Sequence, residues 1–418
     1  NMPGEGDLDV AAFSRAVAAT GYAGPWSLEI FNDQFRGGSP KIVAKDGYRS
    51  LMALADTVRR TEPEVLGDLA PMPAPVAPKG VSFVEFAAGG AEAETLRGIL
   101  RGLGFQQAGH HLNKQVTLFQ QGGVRIVLNE ETTGHAATAR RVQGTTVCDI
   151  GLEMASASDA VARATALGAQ AFSQPTGPGE LDIPAIRGLG GSVLHFFDAA
   201  SGLADVWKVE FGVTGPAPVG AGLARIDHIA QTMSYEDMLS WTLFYTTLTG
   251  MGKSPMFDVI DPDGLVRSQA IESRDGALRF TLNGAETHRT LAGNFLAETF
   301  GASVQHIAMA TDDIFATAER LAQTGFQPLP MPENYYNDLD ARFGLRAELL
   351  ARLKAHNILY DRVNGGEFFQ LYSRPFAHGM FFEIVERRGG YAGFGAANAP
   401  FRIAAQKRLM RGKGIPET

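Results

Sequence analysis

A single cysteine, Cys148, stands among 418 residues. That scarcity excludes an intramolecular disulfide framework and a cysteine-built zinc site, and it fits a compartment that keeps thiols reduced, so a cytoplasmic location is expected. A basic excess is missing as well: 37 Lys and Arg face 45 Asp and Glu, a net charge of −8. Without that electrostatic footprint no nucleic-acid partner is expected. No apolar run approaches the roughly 20 residues that span a bilayer. Residues 1–9 are acidic and Gly-rich where a signal peptide would be basic and then apolar. No membrane partner is expected either. What the chain has is length, enough for two to four domains at roughly 100 to 200 residues each, with ample core.

Two Gly/Pro-rich stretches divide it. In Ala70–Lys79, APMPAPVAPK, four prolines alternate with small residues and impose an extended, hydrogen-bond-poor segment. A second stretch, GVTGPAPVGAG (Gly212–Gly222), reads the same way. The expected organisation is an N-terminal piece (1–65), a linker (66–79), one domain (80–211), a second linker (212–224) and a further domain (225–418).

Within the two large blocks one unit recurs four times: a β-type run, an amphipathic helix ending in a Gly turn, then further β-type runs. The openings are VSFVEFA (Val81–Ala87), VCDIGLEM (Val147–Met154), RIDHIAQT (Arg225–Thr232) and SVQHIAMAT (Ser303–Thr311). The closing runs are VRIVLNE, then SVLHFFD with VWKVEF, then ALRFTLN, then FFQLYS with MFFEIVER. The pattern predicts an α+β chain of four βαβββ units in two pairs. Helices with apolar spacing such as Leu96, Ile99, Leu100 and Leu103 cover one sheet face and leave the other for a ligand. Each pair can wrap into a half-open barrel.

Two of nine histidines hold matched positions, His228 in IDHIA and His306 in VQHIA. A strand residue faces one side, so both point into one shared interior. Glu383, acidic in the apolar run FFEIVER, is costly on a buried face unless paired or bound to a cation. Two imidazoles and one carboxylate with open positions form the facial triad of non-haem Fe(II) oxygenases. The opening runs of the first two units carry no histidine, so metal binding is expected only in the second pair. His110, His111, His135, His195, His288, His356 and His378 have no matched partners and read as structural or exposed.

These motifs, with NYY (Asn334–Tyr336), NILYD (Asn357–Asp361) and FFEIVERRGGYAGFGAANAPFR (Phe381–Arg402), make residues 80–418 resemble the 4-hydroxyphenylpyruvate dioxygenases of the vicinal oxygen chelate superfamily. The resemblance implies two domains of that superfamily, with His228, His306 and Glu383 as Fe(II) ligands; Mg, Mn, Co or Zn are alternative occupants. It implies Gln305, Gln370, Asn283 and Ser268 as polar residues of the catalytic pocket. Phe382, Phe394 and Asn398 are implied as substrate-binding residues, within or beside a closing segment Gly393–Arg402. An aromatic 2-oxo acid and dioxygen are the implied partners, homogentisate the product, and a homo-oligomer the assembly. Leu291 stands where the family carries a further glutamine, which puts the substrate in question.

The segment GPWSLEIFNDQFR resembles the last strand of xylose-isomerase-like (β/α)8 barrels, and more closely the barrel half of fused bacterial 3-dehydroshikimate dehydratases. Residues 1–65 are thus expected to be an αβα remnant of such a barrel: a helix, the strand Trp26–Phe31 with its apolar residues buried, and a helix Gly47–Arg60. Glu29 matches the barrel's last metal ligand, but one strand cannot assemble a site drawn from several. The alternative function is therefore an accessory domain of a 3-dehydroshikimate dehydratase without dioxygenase activity.

Overall fold

A computed structural model describes residues 1–6, 8–62 and 71–410. Residues 66–70 of the first expected linker and 411–418 of the last domain lie outside the described residues.

From residue 78 the chain runs through four βαβββ units. The first comprises β1 (Pro78–Ala87), the helix Gly90–Gly102, β2 (Gln106–His110), β3 (Val116–Gln121) and β4 (Val124–Asn129). The second comprises β5 (Thr146–Met154), the helix Ala157–Ala166, β6 (Ala171–Phe172), β7 (Ala185–Arg187) and β8 (Val193–Phe197). The third opens with β9 (Leu223–Ser234) and the helix Tyr235–Thr249. Its strands β10 (Gly252–Lys253) and β11 (Phe257–Asp261) form one broken edge along β12 (Gly264–Glu272), followed by β13 (Arg279–Ala285). The fourth has β14 (Ser303–Thr311), the helix Ile314–Gln323, β15 (Leu359–Val363), β16 (Gly366–Tyr372) and β17 (Phe381–Arg388).

Each pair of units joins through its opening strands. β1 runs antiparallel to β5 with Val84 opposite Ile150, and β9 antiparallel to β14 with Ile229 opposite Ile307. The resulting orders are β2-β3-β4-β1-β5-β8-β7-β6 and β10-β12-β13-β9-β14-β17-β16-β15. The end strands do not pair with each other, so each sheet stays a half-open barrel. Helix faces supply the core: Ala93, Leu96 and Leu100 of Gly90–Gly102 are buried at three- and four-residue spacing. Ser156, Ser234 and Asp313 cap their helices by accepting first-turn N–H groups. The two sheets share one continuous apolar cluster, and Thr146 Oγ1 meets Ser303 Oγ across it at 2.8 Å.

Two expectations fail. VWKVEF forms no strand: Val206–Val209 is a short helix. Alternation would bury Trp207, Val209 and Phe211 together, but Val209 is exposed while Trp207 and Phe211, four apart, are buried. That is helical spacing.

Trp26–Phe31 forms no strand either. Trp26 is 45% and Phe31 95% exposed, because no described strand lies beside this segment to take up its hydrogen bonds and cover its side chains. The flanking helices, Val10–Ala19 and Pro40–Thr61, are present. The second docks through a polar face: Arg49 Nε donates to Leu167 O at 3.0 Å, and Asp56 Oδ2 pairs with Arg163 Nη1 at 2.9 Å. Arg163 Nε in turn donates to Thr247 O at 2.8 Å, which ties the helix to both sheet domains. Among the described residues, no helix is long and apolar enough to cross a membrane.

Candidate metal centre

His228 on β9, His306 on β14 and Glu383 on β17 meet on the concave face of the second sheet. Pairing explains why: Ala230 lies opposite His306 and Ala308 opposite His228, while Ala308 also neighbours Glu383 on its other side. The small alanines leave room for the larger side chains. His228 Nε2 and His306 Nε2 are 3.3 Å apart, and each is 3.4 Å from Glu383 Oε2. Ligand atoms about 2.0–2.2 Å from one ion stand at such separations, so the three residues fit a divalent metal on the donor chemistry and spacing alone. Among the described residues they are the group that could hold one.

A supporting layer fixes the donors. His228 Nδ1 lies 2.9 Å from Asp227 Oδ1, which leaves Nε2 facing the site. Arg387 grips Asp227 through Nε at 2.9 Å and Nη2 at 2.8 Å. Burial alone would raise the Asp227 pKa, but the hydrogen bonds from His228 and Arg387 outweigh it and hold the carboxyl well below the usual range. Burial pushes the His306 pKa well down, helped by His228 and Arg402, whereas at His228 burial is outweighed by Asp227 and Glu383, which raise it. Gln370 Nε2 donates to Glu383 Oε1 at 2.8 Å, and Phe381 stacks on the His306 ring at 4.7 Å.

Around the triad lies a cavity of about 90 Å³. Ser268, Asn283, Gln305 and Phe394 are among the residues that line it. Thr232 Oγ1 donates to Gln305 Oε1 at 2.8 Å, and Ser268 Oγ to Asn283 Oδ1 at 2.9 Å, so both amides keep their NH2 groups for a ligand. Consecutive residues Gln305 and His306 both reach the cavity because the β14–β9 register slips between Val304 and His306, a bulge that turns an extra side chain inward.

Three expected residues sit elsewhere. Phe382 does not line the cavity; it stacks on Phe376 at 5.4 Å in the core, since strand alternation puts Phe381 on the Glu383 face instead. Gln370 and Asn398 brace the site from behind: Asn398 Nδ2 donates to Gln370 Oε1 at 2.8 Å, and Tyr335 Oη to Asn398 Oδ1 at 3.0 Å. Leu291 lines the cavity wall. The sequence reading missed Asp227, Arg387, Arg402 and Tyr372, which lines the cavity and whose Oη accepts from Gln370 Nε2 at 2.6 Å. Asp227, one residue before a ligand histidine, was the signal available. The helix Ala399–Met410 brings Arg402 to the mouth, its guanidinium 5.0 Å from the Phe381 ring centre.

Comparison with known proteins agrees with this geometry. Residues 72–212 match the family described as hydroxyphenylpyruvate dioxygenase, N-terminal, and residues 225–345 match the glyoxalase/bleomycin resistance protein/dioxygenase superfamily. The chain is 40% identical to a 3-dehydroshikimate dehydratase of Pseudomonas putida over 98% of its own length, and spans 66% of that relative. It is 32% identical to a 4-hydroxyphenylpyruvate dioxygenase of Pseudomonas aeruginosa, with 81% of this chain and 96% of the relative covered. A solved xylose isomerase-like TIM barrel/4-hydroxyphenylpyruvate dioxygenase fusion protein superposes with a TM-score of 0.86 at 39% identity, over 98% of this chain and 66% of the other.

Proposed function

The chain belongs to the 4-hydroxyphenylpyruvate dioxygenase family, and from that premise we propose that it serves as the metal-holding, dioxygenase-like part of a 3-dehydroshikimate dehydratase, without a dioxygenase activity of its own. The observation that carries this reading is the extent of the match: the dehydratase similarity runs over 98% of the chain, N-terminal helices included, against 81% for the dioxygenase. Two features of the site point the same way. Leu291 offers no hydrogen bond to a substrate hydroxyl, and a cavity of about 90 Å³ is well below the roughly 300 Å³ at which small-molecule sites begin.

In this reading His228, His306 and Glu383 hold the metal, and Asp227 and Gln370 orient two of those ligands. Fe(II) bound there would supply redox chemistry toward dioxygen. A second reading, oxidative decarboxylation of an aromatic 2-oxo acid with hydroxylation of its ring, is favoured by the complete triad. Arg402 would then meet the substrate carboxylate, the free NH2 groups of Gln305 and Asn283 its oxygens, and Phe394 would exclude water.

The test reconstitutes the chain with Fe(II) anaerobically, then adds 4-hydroxyphenylpyruvate with oxygen, and separately follows 3-dehydroshikimate dehydration by the product of the complete gene. Dehydratase turnover with no oxygen uptake is expected. Homogentisate formation would overturn the proposal in favour of the second reading.

A further inference from the structure

The first sheet domain holds a cavity of about 830 Å³ on the face that corresponds to the metal centre of the second. The correspondence is positional. Val84 opposite Ile150 and Ile229 opposite Ile307 are the matched, buried central pairs of the two sheets. One residue before each member stand Phe83 and Asp149 in the first domain, His228 and His306 in the second. One residue after Ile150, Gly151 neighbours His195 on β8, as Ala308 neighbours Glu383 on β17. Phe83, Asp149 and His195 therefore occupy the places of the three metal ligands. His195, which sequence alone left without a partner, is the counterpart of Glu383. Phenylalanine cannot ligate, and no metal group forms among the described residues here.

The charges in this cavity do not cancel. Five carboxylates line it against one Lys, one Arg and three His. Glu180 is paired with Lys114 at 2.8 Å, Glu210 with His111 at 2.9 Å, and Glu131 accepts the Gln115 N–H at 2.6 Å. Arg187 is spent on His135 Nδ1 at 3.2 Å and on the Phe172 ring, 4.4 Å away. That leaves Glu85 and Asp149 with His195 between them: burial lowers the His195 pKa, but the two carboxylates outweigh it and raise it, so one imidazole answers two acids. Glu85 Oε1 accepts from Asn129 at 2.9 Å and from Cys148 Sγ at 3.4 Å, with no cation on it. Asp149 is 6% exposed, and its Oδ1 has no hydrogen-bond partner among the described residues. Its Oδ2 lies 2.6 Å from His195 Nδ1, but out of line for a hydrogen bond, so the imidazole nitrogen too is left without one. A buried carboxylate oxygen with no donor is destabilising, and a ligand carrying N–H groups would relieve it. Beside this pair stands an apolar wall: Phe83 lies edge-on to Phe197 at 5.8 Å and to Trp207 at 5.6 Å.

We propose that the first domain is a second, metal-free binding site for a small organic cation, a protonated amine on an aromatic or alicyclic body, held by Asp149 and Glu85 with the ring against Phe83 and Trp207. The ammonium N–H groups satisfy the orphaned Asp149 oxygen and neutralise the excess carboxylates; the aromatic faces attract the cation and bury the ring. An anionic ligand meets the same two carboxylates and is repelled. The volume suits a drug-sized molecule, whereas the metal centre offers about a ninth of it. Burial first, then the neighbouring Asp149 charge, raises the Glu85 pKa to about 7.

The experiment titrates the full chain, with its metal site intact, against benzylammonium, benzyl alcohol and benzoate by ligand-observed NMR and calorimetry. Benzylammonium is expected to bind at least about tenfold more tightly than benzyl alcohol, with benzoate weakest. Asp149→Asn should lose about tenfold in benzylammonium affinity while His306→Ala loses none. Should Asp149→Asn fail to fold, Glu85→Gln takes its place with the same expectation. Equal binding of the alcohol and the ammonium, tighter binding of benzoate, or insensitivity to these carboxylate substitutions would overturn the proposal. Because His306→Ala disables the metal centre alone, failure here is distinguishable from failure of the function proposed above.

Discussion

Asp227 Oδ1 stands 2.9 Å from His228 Nδ1, and the same carboxylate is clasped by two nitrogens of Arg387. The arrangement commits one face of the His228 ring to the protein and the other to the site. Metal-ligating histidines depend on such partners for orientation and basicity. Asp227→Asn is expected to weaken metal binding by roughly 10- to 100-fold, measured by competition with a chromophoric chelator. Unchanged affinity would show that the ring is held by packing against Phe394 instead.

Gln370 links Glu383 to Asn398 through one side chain, donating to the first at 2.8 Å and accepting from the second at 2.8 Å. Gln370→Ala should release residues 395–402, seen as faster amide hydrogen exchange there, with exchange in β1–β8 unaltered. If the closing segment keeps its protection, Tyr335 Oη and the Tyr360 carbonyl, which accepts from Asn398 Nδ2 at 3.3 Å, hold Asn398 without help.

Stability should depend on pH through Glu85. Burial first, then the Asp149 charge, raises its pKa to about 7 from an ordinary 4.5. Between those values the folded state keeps a proton that the unfolded chain has lost, so stability is greatest below the lower value, falls as pH rises through the window and levels off above it. Glu85→Gln removes that loss, a gain on the order of 3 kcal/mol at about pH 8 and near zero at about pH 4. Urea unfolding at the two pH values checks it; an equal effect at both would refute the assignment.

Arg163 holds Asp56 of the N-terminal helix and Thr247 O of the second domain at once, and is buried. Arg163→Ala leaves the buried Asp56 with the half-exposed Arg60 as its remaining cation. A loss of about 3 kcal/mol is expected, read as a lowered Tm, with the Pro40–Thr61 helix becoming the first site of proteolysis. A Tm unchanged within error would mean that the helix docks by its apolar contacts.

The sheet pairs and the triad were legible in the sequence because both rest on register: His228 and His306 recur at the same step of an alternating strand. Phe382 was misplaced for want of applying the same rule, since Glu383 faces the site and only Phe381, two residues earlier, can join it. His195 was beyond reach. Its equivalence to Glu383 runs through pairings across β5 and β8, which no local spacing records. WSLEIF reads as a strand by composition, but a strand needs a neighbour, and sequence composition does not supply one. VWKVEF shows the converse, an alternating pattern overruled by the aromatic contacts of Trp207 and Phe211.

Ala399, Arg402 and Ile403 of the Ala399–Met410 helix line the metal cavity, and Asn398, one residue ahead of that helix, holds the Gln370 that in turn holds Glu383. The wall that bounds the cavity and the brace behind a metal ligand are therefore adjoining parts of one segment, so pocket size and ligand order are not independent properties of this protein.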